Sequence, residues 1–451
     1  MDSLPRTALA IGQALQNGDI DPVALTQQSL NRAGASDAVF ISLTPNRALA
    51  EAEAAARRLK LGTPLGPLDG VPLAWKDLFD IAGTRTTAGS RILAQAAAKG
   101  DATAVRHAKG SGMVCIGKTN LTELAYSGLG LNPHYGTPHH TPAGTAPRVP
   151  GGSSSGSAIA VASGIVPAAI GTDTAGSLRV PAAFNGLVSY RPSRARHDRL
   201  GVTPLAESLD TIGAIATSLP DCLAIDDLMR GLTVQAREPM PAEHTVIVLE
   251  MTCLEDERLE QGVRQNLERC AERLAGAGFK VIRRPLASVR DTLESIRRHG
   301  WLGAVEAYTE YRELVEQSAA ERMDPRVRQR LLAARHMTPD GVVTLYRQRR
   351  ALQAQLRKEL AGAILLTPTV AHVAPLMAPL KADDERFAEV NLATLRLSMV
   401  ASLLDAPAIA MPSGVDAQHQ HTSIQFSAPC GEDETLLRAA LAIDVCLSDD
   451  R

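Results

Sequence analysis

The spacing of apolar residues divides the chain into helical and strand-like segments, beginning with helices. Residues 21–34 and 46–62 carry apolar side chains at helical spacing, and both stretches end near a glycine. Each therefore predicts an amphipathic helix. The pattern changes over residues 64–83, where proline and glycine surround the short apolar run Val71–Trp75. That run predicts a strand that leads into a tight structural feature.

From about residue 100 onward, short apolar runs alternate with helical stretches. Strands are predicted over residues 113–119, 167–173, 186–192, 245–250 and 279–285, and helices over residues 102–112, 157–164 and 256–278. Residues 286–365 predict long charged helices with solvated, arginine-rich faces, and residues 362–376 predict a return to buried strand and loop. Alternation of this kind favours an α/β fold built on a mixed sheet.

Composition is that of an ordinary globular protein and gives no electrostatic reason for a polyanionic partner. Of the 451 residues, 45% are hydrophobic and 21% are charged, and the net charge is −2. We therefore expect no direct contact with nucleic acid and no attraction to an anionic membrane. The longest apolar run, Ser157–Gly171, is too short to cross a bilayer and contains Pro167.

The cysteines and the N-terminus indicate a cellular compartment. The six cysteines form no C-x-x-C pair and have no zinc-ligand spacing with histidines, so we expect reduced thiols and no metal site. The first residues lack a basic flank followed by a continuous apolar core, so no signal peptide is predicted. Together these features predict a cytoplasmic protein. The sequence leaves the oligomeric state open, and it is compatible with a homodimer.

The glycine- and serine-rich run Arg148–Ala158, RVPGGSSSGSA, carries the candidate chemistry. A phosphate-binding loop would need a lysine after its last glycine, and none is present. The run does contain G-x-S-x-G, centred on Ser154, but residues 141–150 do not resemble the buried strand that a hydrolase elbow requires. Several histidines lie downstream, so this alternative stays open. The run is also unlike a flexible linker between domains. A second glycine-rich element, Gly171–Ala182, follows after only one predicted helix and one predicted strand.

Residues 151–192 resemble the signature segment of the amidase signature family. Further blocks resemble the family in the same order, over residues 70–90, 117–138, 205–222, 365–375, 406–414 and 424–440. The resemblance runs from about residue 10 to residue 446 and is weakest between about 231 and 360. It implies one large α/β domain whose mixed sheet is covered by helices on both faces.

The resemblance also implies how the chain is organised along its length. A helical segment packs on the core over residues 1–60, and the signature core with the catalytic residues follows over residues 61–230. A variable region that shapes the substrate pocket covers residues 231–390, and residues 391–451 return to the core.

The resemblance implies a Ser-cisSer-Lys triad and amide hydrolysis without a metal or organic cofactor. The lysine is Lys76, the serine after a cis peptide bond is Ser153, and the nucleophile is Ser177. The separation of 24 residues between the two serines fits the family spacing and selects Ser153 over its two neighbouring serines. Backbone N–H groups for the oxyanion are expected from Thr174, Ala175, Gly176 and Ser177.

The chemistry of the triad requires an uncharged lysine. A serine hydroxyl needs a base to become a nucleophile, and lysine can act as that base only when it is neutral. Burial can lower its pKa, and the apolar residues around Lys76 can supply that burial. A nearby carboxylate would have the opposite effect, so we expect Asp77 to point elsewhere.

Other residues of the motifs are expected to bind substrate or to support the site. The resemblance implies substrate contacts from Ala125, Tyr126 and Ser127. Arg179 is expected first to support the turn through ion pairs and hydrogen bonds, and second to contact an anionic substrate. Structural support is expected from Gly151, Gly152, Ser154 and Asp173. His134, His139 and His140 lie near the pocket in sequence, and no catalytic role is assigned to them.

The predicted function is hydrolysis of a small-molecule carboxamide through an acyl-enzyme, with release of ammonia or an amine. Two alternatives remain. One is the glutaminase component of a tRNA-dependent amidotransferase, which the chain also resembles, although Ser402 and Asp405 stand where that component would have Asn and Gly. The other is a hydrolase of a small urea-like amide of the allophanate or biuret type, because residues 171–177 resemble the form seen there.

Overall fold

A computed structural model describes residues 5–93, 96–140 and 145–448. All candidate site residues lie within these ranges, whereas residues 141–144, which precede the glycine- and serine-rich run, lie outside them. So do residues 1–4 and 449–451, at the outer ends of the first and last predicted segments.

One mixed sheet of eleven strands forms the centre of the described protein. The strands are β1 (Phe40–Leu43), β2 (Pro72–Lys76), β3 (Val114–Thr119), β4 (Ala168–Asp173), β5 (Val188–Arg191), β6 (Thr211–Ala216), β7 (Val246–Glu250), β8 (Lys280–Arg284), β9 (Ile364–Pro368), β10 (Ala408–Val415) and β11 (His421–Ser427). Their order in the sheet is β1-β3-β2-β4-β6-β5-β10-β11-β9-β7-β8. Strand β2 is parallel to both β3 and β4, and β7 is parallel to both β8 and β9, while the remaining pairs are antiparallel.

Seventeen α-helices lie within the described residues. They are α1 (Ala8–Asn17), α2 (Pro22–Ala35), α3 (Pro45–Lys60), α4 (Thr103–Gly110), α5 (Ser155–Ala162), α6 (Arg179–Phe184), α7 (Leu219–Met229), α8 (Met251–Leu254), α9 (Gln261–Gly276), α10 (Ala287–His299), α11 (Leu302–Glu316), α12 (Pro325–Ala333), α13 (Pro339–Leu360), α14 (Met377–Ala382), α15 (Asp384–Leu395), α16 (Ser398–Leu403) and α17 (Asp433–Ser448).

Helices cover both faces of the sheet, because alternate residues of the central strands enter two different hydrophobic clusters. In β2, Leu73 and Trp75 pack into the larger cluster with α7 and α17, while Ala74 packs into a second cluster with α2, α3 and α5. Strand β4 divides its residues in the same way, with Ile170 on one side and Ala169 on the other. This alternation is the period-two pattern of a strand buried on both faces. The predicted fold class is confirmed.

The predicted strands and helices between residues 21 and 376 are present within a few residues of the expected bounds. The apolar pattern of the sequence did not predict β1, β6, β10 or β11. Strand β1 lies within the segment expected to be helical, so the sheet takes strands from all four predicted segments.

The parallel pairing of β2 with β4 positions the site. The register pairs Trp75 with Ile170, so Lys76, the last residue of β2, lies level with Gly171, near the carboxyl end of β4. The chain leaves β4 into the turn that carries Ser177, while Ser153 lies just before α5. Lys76, Ser153 and the turn of Ser177 therefore lie near the carboxyl ends of parallel strands, where α/β sheets commonly bind ligands.

Candidate active site

Lys76 is completely buried and its amine contacts two hydroxyl groups. Its Nζ lies 2.8 Å from Ser153 Oγ and 2.7 Å from Thr172 Oγ1. No described carboxylate lies within ion-pair distance of this amine. The Lys76 side chain is therefore held between hydroxyl groups instead of being paired with an acid.

Burial lowers the pKa of Lys76 from its ordinary value of 10.5 to about 7, against the opposing influence of Asp173 and Asp210. Removal of an ammonium ion from water disfavours its charged form, which is the dominant effect here. Near neutral pH, a substantial fraction of this amine is therefore uncharged and able to accept a proton.

Asp77 points away from the adjacent lysine, as expected from the sequence. Its Oδ1 lies 2.6 Å from Lys118 Nζ, and its Oδ2 accepts hydrogen bonds from the backbone and the hydroxyl of Thr87. Both members of the Lys118–Asp77 pair are fully buried. The carboxylate therefore has its own counter-ion and does not hold a proton on Lys76.

Ser153 lies in a segment that is closely packed on both sides. The peptide bond between Gly152 and Ser153 is cis, and the Ser153 carbonyl accepts hydrogen bonds from the N–H groups of Thr122, at 3.2 Å, and Ser155, at 2.9 Å. Glycine is required at position 152, because a Cβ there would lie 2.6 Å from the nitrogen of Gly130. These contacts fix the Ser153 hydroxyl against the buried amine.

Asp173 organises the turn that contains Ser177. Its two carboxylate oxygens accept hydrogen bonds from the N–H groups of Gly176, at 2.8 Å, and Leu178, at 3.2 Å. Burial by itself would raise the pKa of Asp173, but the charges of Arg179 and Arg191 outweigh it and lower the pKa to about 2. Asp173 is thus a permanently charged anchor for the turn.

Ser177 lies in this turn, nearly buried, and its backbone is linked to the other serine segment. The carbonyl of Ser177 accepts a hydrogen bond from Ser154 N at 3.3 Å, and Ser154 Oγ donates to the carbonyl of Thr172. The segment after Ser153 and the turn that bears Ser177 are therefore held together through main-chain contacts.

One of the four predicted oxyanion donors is already occupied. The Gly176 N–H donates to Asp173 Oδ1, so we correct its expected role from donor to structural support. The described residues provide no acceptor for the N–H groups of Thr174, Ala175 and Ser177. Gly176 also has a φ of 133°, in a region that suits glycine, and a Cβ there would lie 2.2 Å from Ser398 Oγ.

The loop expected to bind substrate lies directly against the Gly152–Ser153 segment. Gly152 N donates to the carbonyl of Gly128 at 2.7 Å, and Ala125 has a left-handed φ of 57°. The Ser127 hydroxyl donates to Asn391 Oδ1 at 3.0 Å, so its expected contact with substrate competes with an existing bond. Tyr126 is nearly buried beneath the guanidinium of Arg330.

Arg179 has no donor left for a substrate, which corrects the expectation that it contacts an anionic substrate. Its guanidinium is fully buried and makes two hydrogen bonds to Asp173. The remaining donors bond to Gln425, Ser402 Oγ and the carbonyl of Ser398. Every donor group of this arginine is thus used within the protein, and its function is to hold the turn.

Several residues that support the site were not found by sequence reasoning. Thr172 is the second neighbour of the lysine amine, and Asp210 accepts a hydrogen bond from Thr174 Oγ1 at 2.5 Å. The Ser398 hydroxyl donates to the carbonyl of Ala175 at 2.6 Å. Thr172 lies within a segment already singled out, whereas Ser398 comes from a helix whose proximity no local motif indicates.

The histidine required by the hydrolase-elbow alternative is not at the serines. In the described part of the chain, no histidine forms a hydrogen bond with Ser153, Ser154 or Ser177. Residues 145–150 form only an isolated bridge between Arg148 and Leu376, so no described strand precedes the run. Both features separate the site from the elbow arrangement.

Residues 5–93, 96–140 and 145–448 offer neither a cluster of metal ligands nor a helix that could span a membrane. Those residues contain no group of three or more histidine, cysteine, aspartate or glutamate side chains suited to a metal ion. Within the same ranges, no helix combines the length and the apolar character needed to cross a membrane.

Comparison with known proteins defines the family. A model of the Amidase family matches residues 24–437, which is most of the chain. A solved structure described as an amidase superimposes with a TM-score of 0.86 at 30% identity, covering 98% of this chain and all of that one. The chain belongs to the amidase signature family and is an amidase, a hydrolase that acts on amides.

The chain is also similar to two proteins of different activity, one over most of its length and one over half of it. The 2-amino-5-chloromuconic acid deaminase of Comamonas testosteroni is 32% identical over 414 residues, covering 89% of this chain and 87% of the deaminase. A glutamyl-tRNA(Gln) amidotransferase component of Chloroflexus aurantiacus is 42% identical over 228 residues. That second match covers 50% of this chain and 46% of the Chloroflexus protein, so it spans less than half of the relative's length.

Proposed function

We propose that this amidase cleaves a carboxamide C–N bond through Lys76, Ser153 and Ser177, with an acyl-enzyme on Ser177 and release of ammonia or an amine. The observation that carries the proposal is the buried contact of 2.8 Å between Lys76 Nζ and Ser153 Oγ. An amine that is desolvated, unpaired with acid and adjacent to a hydroxyl is suited to act as a general base.

In the first half of the reaction, neutral Lys76 accepts the proton of Ser153 while Ser153 accepts the proton of Ser177. The Ser177 oxygen then bonds to the substrate carbonyl carbon, and the carbonyl oxygen becomes an anion. The N–H groups of Thr174, Ala175 and Ser177 are the candidates to bind that anion, because preorganised donors stabilise charge as it develops.

In the second half, the C–N bond breaks. The proton on Lys76 returns through Ser153 to the leaving nitrogen, which departs as ammonia or an amine. Water then attacks the ester on Ser177, and the same relay takes the water proton and gives one back to the Ser177 oxygen. The products are a carboxylic acid and the amine, and the protein returns to its starting state.

The test locates the nucleophile and the base separately. We expect a fluorophosphonate to modify Ser177, as identified by mass spectrometry of the labelled peptide, and Ser177→Ala to abolish both labelling and ammonia release. Lys76→Ala should reduce turnover by about 100- to 10,000-fold, the usual contribution of a general base. Full activity of the Ser177→Ala protein would overturn the proposal.

Ser155→Ala is the matched control. This serine lies in the same run, and its buried hydroxyl has no hydrogen-bond partner among the described residues. We expect its activity to stay within about threefold of wild type, as for substitutions away from special features. Loss of activity in this control equal to that of Ser177→Ala would mean that the run is sensitive to any change, and the assignment would lose its support.

A second candidate is the glutaminase component of an amidotransferase, which the partial match to the Chloroflexus protein supports. The structure accommodates both departures from that pattern. Ser402 accepts a hydrogen bond from Arg179, and Asp405 adopts a left-handed φ of 49°, a conformation in which glycine is favoured and aspartate tolerated. Ammonia release from glutamine that requires an added partner protein would favour this candidate. Release from a panel of simple and urea-like amides by the chain alone would favour a stand-alone amidase.

A further inference from the structure

Arg330 is an arginine of α12 that packs on the loop beside the proposed triad. Its guanidinium carbon lies 4.5 Å from the centre of the Tyr126 ring, and its Nη1 donates to the Tyr126 carbonyl. Two contacts with one residue fix the plane of the guanidinium above the aromatic ring. The side chain is therefore half-buried and held in place by these contacts.

No carboxylate of the described residues pairs with this charge. The contrast with Arg326, one turn earlier on α12, is direct: Arg326 makes two hydrogen bonds to Asp324 and stacks at 4.7 Å on the Phe387 ring. Arg330 has a comparable aromatic contact but no acid, and burial lowers its pKa. A half-buried cation without a counter-ion favours binding of an anion.

The loop beneath Arg330 is bonded to the segment that carries Ser153. Thr122 N bonds to the Ser153 carbonyl, and Gly152 N bonds to the Gly128 carbonyl, so both ends of the loop are attached to the segment of the cis-serine. Helix α12 is attached to the same loop, because Glu123 Oε2 accepts a hydrogen bond of 2.6 Å from Asp324 N. Arg330 is thus fixed relative to Ser153.

Tyr126 provides a second donor at the same place. Among the described residues, its hydroxyl has no hydrogen-bond partner, and burial raises the pKa of the phenol, which stays protonated at neutral pH. A guanidinium with unused N–H groups beside a protonated phenol is a suitable arrangement for a carboxylate, which accepts several hydrogen bonds at once.

We propose that Arg330, with Tyr126, binds a carboxylate of the substrate, so that the preferred substrates are amides that also carry a free acid group, such as monoamides of dicarboxylic acids. This inference rests on the proposed function for the reaction itself. It assigns to Arg330 the anion contact that the sequence pattern suggested for Arg179, whose donors are all occupied within the protein.

The experiment compares paired substrates. The monoamides of malonic, succinic, glutaric and adipic acid are each assayed beside the alkyl amide of the same chain length, with ammonia release as the readout. Wild type should prefer at least one acid over its neutral partner in kcat/KM. We expect Arg330→Gln to lower that preference by about 10- to 1,000-fold, as for loss of a charge-assisted bidentate contact. Arg330→Lys should retain part of it.

Arg335→Gln is the control for net charge, because Arg335 is exposed just beyond α12 and its replacement changes the charge equally. Its preference should stay within about threefold of wild type. Equal loss of activity on acid and neutral amides in Arg330→Gln would overturn the inference, as would a wild type that hydrolyses amides without any preference for the acids. If Arg330→Gln does not fold, the same comparison is made with Arg330→Lys. A preference for acid over neutral amides equal to that of wild type would then also overturn the inference.

Binding separates this inference from the proposed reaction. In the Ser177→Ala background, calorimetry with succinamate should show an affinity that falls at least about tenfold when Arg330→Gln is added. Failure of wild type to hydrolyse any amide would refute the proposed function and leave this binding result to decide the role of Arg330. Equal affinity of succinamate for Ser177→Ala with and without Arg330→Gln would refute the carboxylate site, even if wild type hydrolyses amides.

Discussion

Replacement of Lys76 by methionine tests the electrostatic basis of the site, because methionine has a similar length and remains apolar at every pH. In wild type, burial lowers the pKa of this lysine from 10.5 to about 7. Between these two values, the unfolded chain carries a proton on the amine that the folded protein does not carry. The free energy of unfolding of wild type therefore rises with pH across this window.

The size of the effect follows from the same two values. Each unit of pKa corresponds to about 1.4 kcal/mol, so burial of the lysine costs about 4 kcal/mol of stability at pH 7 and about 2 kcal/mol at pH 9. Methionine does not incur this cost. It does lose the contacts with the hydroxyls of Ser153 and Thr172, at about 1–3 kcal/mol for each buried group left unsatisfied. That loss does not depend on pH, so it cancels when two pH values are compared.

The assay is urea-induced unfolding of wild type and Lys76→Met at pH 7 and pH 9, with kcat/KM measured over the same range. We expect the stability of wild type relative to the variant to increase by about 2 kcal/mol between the two pH values. Wild-type kcat/KM should rise about tenfold per pH unit below pH 7 and level off above it, as the amine loses its proton. The variant should be at least about 100-fold less active throughout, with no rise in kcat/KM around pH 7.

Parallel stability curves for the two proteins between pH 7 and pH 9 would refute the reasoning. They would show that the amine has an ordinary pKa in the folded protein, and hence that it is charged where it is required to act as a base. Activity that is flat from pH 5 to pH 9 would contradict the same premise from the kinetic side.

Three further changes test the support of the site. Thr172→Val removes one hydroxyl from the lysine amine and should lower kcat by about tenfold with an unchanged fold, measured by steady-state kinetics and circular dichroism. Arg179→Met leaves Asp173 as a buried charge with less compensation and should lower the free energy of unfolding by about 3–5 kcal/mol in urea titrations; a loss below about 1 kcal/mol would contradict the pairing. Gly176→Ala would place a Cβ 2.2 Å from Ser398 Oγ and should reduce kcat by about 100-fold through displacement of the turn, whereas wild-type kcat would show that the turn has room to move.

The sequence determined most of the local elements and, through the family resemblance, the residues that are proposed to react. Period-two and period-3.6 patterns depend on neighbouring residues alone, so the strand at Val71–Trp75 and the helices at residues 21–34 and 46–62 could be predicted without a partner. The spacing between Ser153 and Ser177 likewise belongs to one continuous segment, because both serines lie within the signature motif.

The tertiary structure alone decided what surrounds those groups. Pairing of β2 with β4 brings Thr172 to the lysine amine, and burial there lowers its pKa. The contacts of two arginines also depend on residues that are far away along the chain. Arg179 donates to acceptors of residues 398, 402 and 425. Arg330 contacts Tyr126, about 200 positions earlier. Charge compensation depends on distance in space, and the sequence spacing of residues so far apart along the chain carries no information about it.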